Sequence, residues 1–191
     1  MLNMEKDIEL CLKVLHAGGL ILYPTDTIWG IGCDATNPSA VEKVYRLKNR
    51  AEKKSLIILL ADERDLNRYI TLLDPAIFDY LETVQTATTI IYDGAISLAD
   101  NCINEDSSIA IRIIQEPFCK ALIKRFRKPI VSTSANVSGM PAPAHFGEVS
   151  TKIKNGVDYI VEYRQDDFQP AKPSNIIRFL KDGSIVPIRI S

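Results

Sequence analysis

Four segments of the sequence concentrate side chains able to hold a small polar ligand. The run Tyr23-Pro-Thr-Asp-Thr-Ile-Trp-Gly-Ile-Gly-Cys-Asp34 packs three hydroxyls, two acids, two glycines and the only tryptophan into twelve residues. Glycines let the backbone approach a ligand closely, and hydroxyls orient a carboxylate or an amine. A glycine-rich loop over the end of a sheet would account for the same composition. No G-x-x-x-x-G-K-[ST] run occurs, so a P-loop is excluded.

The second segment is basic: Lys48-Asn49-Arg50 is followed by Lys53-Lys54. Arginine offers phosphate a two-pronged fork and lysine a compact charge, which makes this a candidate triphosphate clamp. Cations are equally favourable at the end of any helix. In the third, Ser108-Ile-Ala-Ile-Arg-Ile113, strand alternation puts Ile109, Ile111 and Ile113 on one face and Ser108, Ala110 and Arg112 on the other. At ~3.3 Å per residue, Ser108 and Arg112 stand about 13 Å apart, which suits the two ends of an extended substrate pair. An ordinary solvent-facing Ser and Arg is the alternative. The fourth, Pro129-Ile-Val-Ser-Thr-Ser-Ala-Asn-Val-Ser-Gly139, carries five hydroxyl or amide side chains between positions 132 and 138. Such a strand exit can donate to phosphates without adding charge. A capped turn explains one or two of these residues, not five. The two histidines, His16 and His145, have no spacing for a metal pair or a triad, which argues against covalent hydrolase chemistry.

These segments need a frame. Ile8, Cys11, Leu12 and Leu15 recur at helical spacing between Met4 and Ala17, and Gly18-Gly19 supplies a stop. Leu20–Tyr23, Ser55–Ala61 and Ala87–Tyr92 are short apolar runs, the pattern of strands buried on both faces. Asn37-Pro38, Asp74-Pro75 and Pro117 open three further helices, with proline where the first amide would be unpaired anyway. Asn175–Leu180 and Ser184–Ile190 flank Lys181-Asp182-Gly183 as a hairpin. Strands interleaved with helices predict an α/β domain with a mixed sheet.

A length of 191 residues with 46% hydrophobic content supports one core and a single domain over residues 1–191. The net charge of −1 gives no global argument for nucleic-acid binding. Charged residues at positions 5, 6, 7 and 9 stand where a signal peptide would be apolar, and no run reaches the ~20 apolar residues of a membrane span. A cytoplasmic protein is expected. Cys11, Cys33, Cys102 and Cys119 form no C-x-x-C pair, which predicts free thiols.

Taken in order, YPTDTIWGIGCDA, KNR, SIAIRI, STSANVSG and PSN resemble the YrdC/YciO family, in its threonylcarbamoyl-AMP synthase branch, over about residues 7 to 190. The resemblance implies a twisted, open mixed sheet with a large concave cavity and no C-terminal extension domain. It implies that L-threonine and bicarbonate or CO2 condense, and that ATP adenylates the product with loss of pyrophosphate, the first step of tRNA threonylcarbamoyladenosine formation. Mg2+ would accompany ATP as co-substrate, with no protein-bound metal, and a downstream threonylcarbamoyl transferase complex would take the product. By correspondence of motifs, Lys48, Arg50, Ser134 and Asn136 form the catalytic tetrad on the ATP phosphates. Lys54, Ser108 and Arg189 add nucleotide contacts, and Thr27, Arg112, Ser132 and Ser174 form the threonine site. Such chemistry needs positioning and charge neutralisation rather than a covalent nucleophile.

The sequence departs from the family pattern at three places. Leu59 stands where many members have His, Val84-Gln-Thr-Ala-Thr-Thr89 replaces W-P-G-P-x-T and keeps only its final Thr, and Ala142 replaces a common serine. Two alternatives to the synthase stay open on the sequence: a YciO-like paralogue, and a module binding double-stranded RNA or tRNA through Lys48–Lys54. Steep weakening by salt would mark the RNA module, and saturable small-ligand binding an ATP pocket.

Overall fold

The first helix, α1 (Leu2–His16), buries Ile8, Cys11 and Leu15 completely or nearly so, as their spacing requires. Gly18 ends it at φ +69°, where its amide and that of Gly19 reach back to the carbonyls of Leu15 and Val14. This computed structural model describes residues 2–50, 56–71, 73–169, 171–180 and 184–190.

Three of the remaining helices begin as their local chemistry dictates. In α2 (Pro38–Lys48) Asn37 Oδ1 accepts from the amides of Ser39 and Ala40. A cap of this kind is worth about 1 kcal/mol. Asp74 accepts from the Ala76 amide at the start of α3 (Ala76–Thr83), and Glu116 accepts from the Cys119 amide, 2.7 Å away, before α4 (Pro117–Phe126). Asn49, at φ 54°, closes α2 in the left-handed region that asparagine tolerates. A fifth helix, α5 (Thr151–Asn155), is too short to show an apolar period and announces itself only by the Ser150 cap.

Nine strands form one sheet: β1 (Ile21–Tyr23), β2 (Gly30–Gly32), β3 (Ile57–Leu60), β4 (Thr88–Tyr92), β5 (Ile109–Ile113), β6 (Ile130–Ser134), β7 (Tyr159–Ile160), β8 (Asn175–Phe179) and β9 (Ile185–Arg189). Their spatial order is β7-β1-β2-β6-β3-β5-β4-β8-β9. The pairs β1/β7, β3/β5 and β4/β8 are parallel and the others antiparallel, so the sheet is mixed and open, as expected. The sequence pattern missed β2 and β7. Gly-Ile-Gly is a poor strand former by composition, and two residues carry no period. The C-terminal hairpin is present as β8 and β9, while its turn at 181–183 lies outside the described residues.

Each face of the sheet has its own core. One face carries Leu22, Ile58, Leu60, Ile90, Ile109, Ile111 and Val131 against α2 and α3. The other carries Ile21, Tyr23, Leu59 and Ile130 against α1 and α4, where Phe118 and Leu122 are fully buried. Those two helices cover only one end of their face. Beyond them the same face is left open, and the cavity lies there. All four cysteines are buried free thiols, as expected. Among the described residues, no helix is long and apolar enough to cross a membrane.

Candidate functional site

Strand alternation delivers one set of side chains to the open part of that face. Residues paired across the sheet share a face, and the register couples Gly30 with Ser134, Ile57 with both Ser132 and Ala110, and Ile91 with Ala110. All six line a cavity of about 390 Å³, together with Thr27 and Trp29 before β2, Arg112 on β5, Ser174 before β8, and Ile188 and Arg189 on β9. That size is within the range of small-molecule sites. Gly30 keeps the wall thin: a Cβ there would sit 3.2 Å from Ser132 Oγ.

The charge in this cavity is one-sided. Arg50, Arg112 and Arg189 line it, and no carboxylate does among the described residues. Arg50 Nη1 donates to Thr133 Oγ1 at 3.1 Å, which aims the guanidinium along the exit of β6. Arg189 donates from Nε and Nη2 to the Ser174 carbonyl at 3.2 and 2.7 Å. Burial lowers the pKa of Arg50, and burial followed by the nearby Arg112 charge lowers that of Arg189. Cations held together against such costs favour an anionic occupant. Arg112 is 4% exposed. It donates to Thr27 Oγ1 at 3.1 Å and pairs with Asp26 at 3.2 Å. Hydroxyls complete the lining: Thr27, Ser132, Thr133, Ser134 and Ser174. Thr27 is held by its neighbours, since Thr25 Oγ1 accepts from the Thr27 amide, donates to the Ile28 carbonyl, and lies 2.9 Å from Thr27 Oγ1.

Lys48 has a different place from Arg50. It ends α2 at 2% exposure, and its ammonium donates to the carbonyls of Ser134 and Asn136 (2.6 Å for the latter) and to Asn136 Oδ1 at 3.3 Å. The backbone amide of Ser138 returns a bond to the Lys48 carbonyl at 2.8 Å, and the side-chain Nδ2 of Asn136 donates to the carbonyls of Val137 and Met140. Lys48 therefore fastens the Ser134–Met140 turn to the end of α2. Burial and the adjacent Arg50 charge pull its pKa down to about 7.

Of the residues singled out from the sequence, Thr27, Arg50, Arg112, Ser132, Ser134, Ser174 and Arg189 meet in the cavity wall. Lys48 and Asn136 stand behind it. Ser108 is buried outside the lining, its hydroxyl donating to Asp106 Oδ1 at 2.6 Å and accepting from Asn104, which itself lines the cavity. Lys54 lies outside the described residues. The sequence reading gave no role to Thr89, which is fully buried with Oγ1 2.8 Å from Ser174 Oγ. Its only signal was survival as the last residue of the altered Val84–Thr89 stretch. Leu59 is completely buried in the second core, and Ala142 lines the cavity.

Three comparisons bear on this site. The family model Sua5_yciO_yrdC, described as "Telomere recombination", matches residues 13–191. The chain is 38% identical over 133 residues to a threonylcarbamoyl-AMP synthase of Saccharophagus degradans, covering 69% of this chain and 70% of that one. It is 32% identical over 184 residues to a threonylcarbamoyl-AMP synthase of Vibrio parahaemolyticus, covering 90% and 98%. Its fold matches the crystal structure of P. abyssi Sua5 complexed with L-threonine with a TM-score of 0.84 at 21% identity. That match covers 95% of this chain, which spans about half (53%) of the P. abyssi one.

Proposed function

We propose a function from one premise: this chain belongs to the Sua5/YciO/YrdC family. It is a threonylcarbamoyl-AMP synthase, a nucleotidyltransferase that acts at the first step of tRNA threonylcarbamoyladenosine formation. The observation that carries the reading at the level of the site is the cavity with three arginines, a rim of hydroxyls and no lining carboxylate among the described residues.

The chemistry fits those groups. The neutral threonine amine attacks the carbon of CO2, releasing a proton, or that of bicarbonate, releasing water, to give a carbamate. A carbamate oxygen then attacks the α-phosphorus of ATP, and pyrophosphate leaves. Negative charge builds on phosphate oxygens throughout, so fixed donors and cations lower the barrier without forming a bond to substrate. Arg50 and Ser134 face the phosphates, with Arg189 on the nucleotide side. Arg112 takes the threonine carboxylate, and Thr27, Ser132 and Ser174 surround the amino acid. Lys48 and Asn136 keep the Ser134 turn in place. Mg2+ enters with ATP as its counter-ion. The product passes to a threonylcarbamoyl transferase complex in the cytoplasm.

The test is an assay of purified protein with ATP, bicarbonate and L-threonine, with serine, valine and glycine in parallel. Threonine-dependent release of pyrophosphate, with formation of the adenylate, is the expected outcome. Pyrophosphate release that ignores threonine, or none, would falsify the assignment.

A further inference from the structure

Arg112 already holds a carboxylate. Its Nη2 lies 3.2 Å from Asp26 Oδ1 in an ion pair, its Nη1 donates to Thr27 Oγ1, and among the described residues neither Asp26 Oδ1 nor the buried Nε of Arg112 has a hydrogen-bond partner. Asp26 itself belongs to the wall between two cavities. Arg112 and Thr27 line the arginine-rich one, whereas Asp26 lines a neighbouring cavity of about 530 Å³. The Asp26 side chain is 17% exposed against 4% for Arg112, so the acid is the member of the pair with freedom to move. The second cavity gives it room, and the amides of Gln85 and Gln115 lining it can donate to a carboxylate. Glu63 and Glu82 also line it, with Arg64.

An α-amino acid carries the same functional group as the Asp26 side chain, and a guanidinium edge binds one carboxylate with two parallel bonds. A substrate carboxylate taking the free Nε together with Nη2 would meet Asp26 at Nη2, and the two cannot share it. We infer that Asp26 is a specificity-determining residue: it occupies Arg112 as an internal substitute for the amino-acid carboxylate and is displaced towards the second cavity when substrate binds. This rests on the synthase reading given above. Two consequences follow from the geometry. Before substrate arrives, Asp26 sets a negative charge against Arg112, the arginine whose own charge bears on Arg189. Each amino acid must also outcompete Asp26, so a ligand without a carboxylate gains nothing from Arg112.

Asp26→Asn removes the competing charge at constant shape. The KM for L-threonine should fall roughly fivefold, the size expected for loss of one partly screened ion pair. The KM for ATP should stay within about twofold of wild type. Binding of L-threoninol, which lacks the carboxylate, should not change. Asp26→Ser, with thermal melts of both variants, guards against a local folding defect. A threonine KM that is unchanged or raised in both folded variants overturns the inference, because Asp26 would then hold Arg112 in position for substrate rather than compete with it. If the wild-type protein neither binds nor turns over threonine, the synthase reading fails instead, and the two failures are separate.

Discussion

Thr89 Oγ1 and Ser174 Oγ lie 2.8 Å apart in a contact sealed from solvent between β4 and the segment leading into β8. The carbonyl of the same Ser174 receives two bonds from Arg189. A residue with no access to ligand thus sets the position of two that line the cavity. Thr89→Val keeps the shape and deletes the hydroxyl. The expected result is a threonine KM raised about fivefold, the scale of one neutral hydrogen bond, with the ATP KM moved less. Steady-state kinetics in both substrates measures the split, and an effect confined to ATP would remove Ser174 from the amino-acid side.

Arg50 is the cation that the end of α2 presents to the cavity. Arg50→Ala should lower kcat/KM for ATP by about 100-fold or more, as loss of a preorganised charge contact does. Arg50→Lys should recover only part of it, since a lysine cannot reproduce the fork towards Thr133 and phosphate together. Pyrophosphate release under limiting ATP gives the ratio. Equal activity of Arg50→Lys and wild type would show that charge alone suffices.

Lys48 makes stability depend on pH with a definite sign. Its pKa is lowered from 10.5 to about 7 in the folded chain. Between those values the unfolded chain keeps a proton that the folded chain releases, so the contribution of this group to stability rises with pH. Urea unfolding of wild type and Lys48→Met at pH 7, 8 and 9 should show the difference shifting in favour of wild type, by at most about 1.4 kcal/mol per pH unit. A difference that stays flat would mean that the ammonium remains protonated in its ring of carbonyls throughout.

Gly32 tests the thin wall between β1, β2 and β6. A Cβ there would stand 2.7 Å from the Tyr23 ring, 2.9 Å from the Val131 carbonyl and 3.2 Å from Ile130 Cγ2. The carbonyl belongs to a central strand and has little freedom to yield. Gly32→Ala should cost about 1–3 kcal/mol, the range for overpacking a well-filled interior. Differential scanning calorimetry should record a drop of several degrees, and an unchanged melting temperature would show that the strands can separate locally.

Much of this arrangement is legible in the residues themselves. Asn37-Pro38 and Glu116-Pro117 start helices for local reasons, and the alternation in Ser108–Ile113 separates Arg112 from the isoleucine face. Three consecutive hydroxyls of the Ser132–Ser138 run, on Ser132, Thr133 and Ser134, line the cavity where β6 ends. What stayed hidden depends on partners distant in sequence. Lys48 and Arg50 look equivalent in a basic cluster, yet one meets three carbonyl-type acceptors of the 134–136 segment and the other meets the cavity. Ser108 has the residue type of a ligand contact, but Asp106 two positions earlier takes its hydroxyl. Gly30–Gly32 pairs on both sides as a strand, with Gly32 leaving room for the Tyr23 ring and the Val131 carbonyl, and Gly30 for Ser132 Oγ.

The cavity wall begins at Thr27 and is not complete until Arg189. The two cores reach as far along the chain as the site does: residues up to the end of β6 supply α1, α2, α4 and six of the nine strands, but lack Val149, Ile153 and Ile177 of one core and Val161 of the other, as well as Ser174, Ile188 and Arg189 of the cavity. Shortening the chain anywhere between β6 and Arg189 should therefore cost stability and ligand capture together, not one without the other.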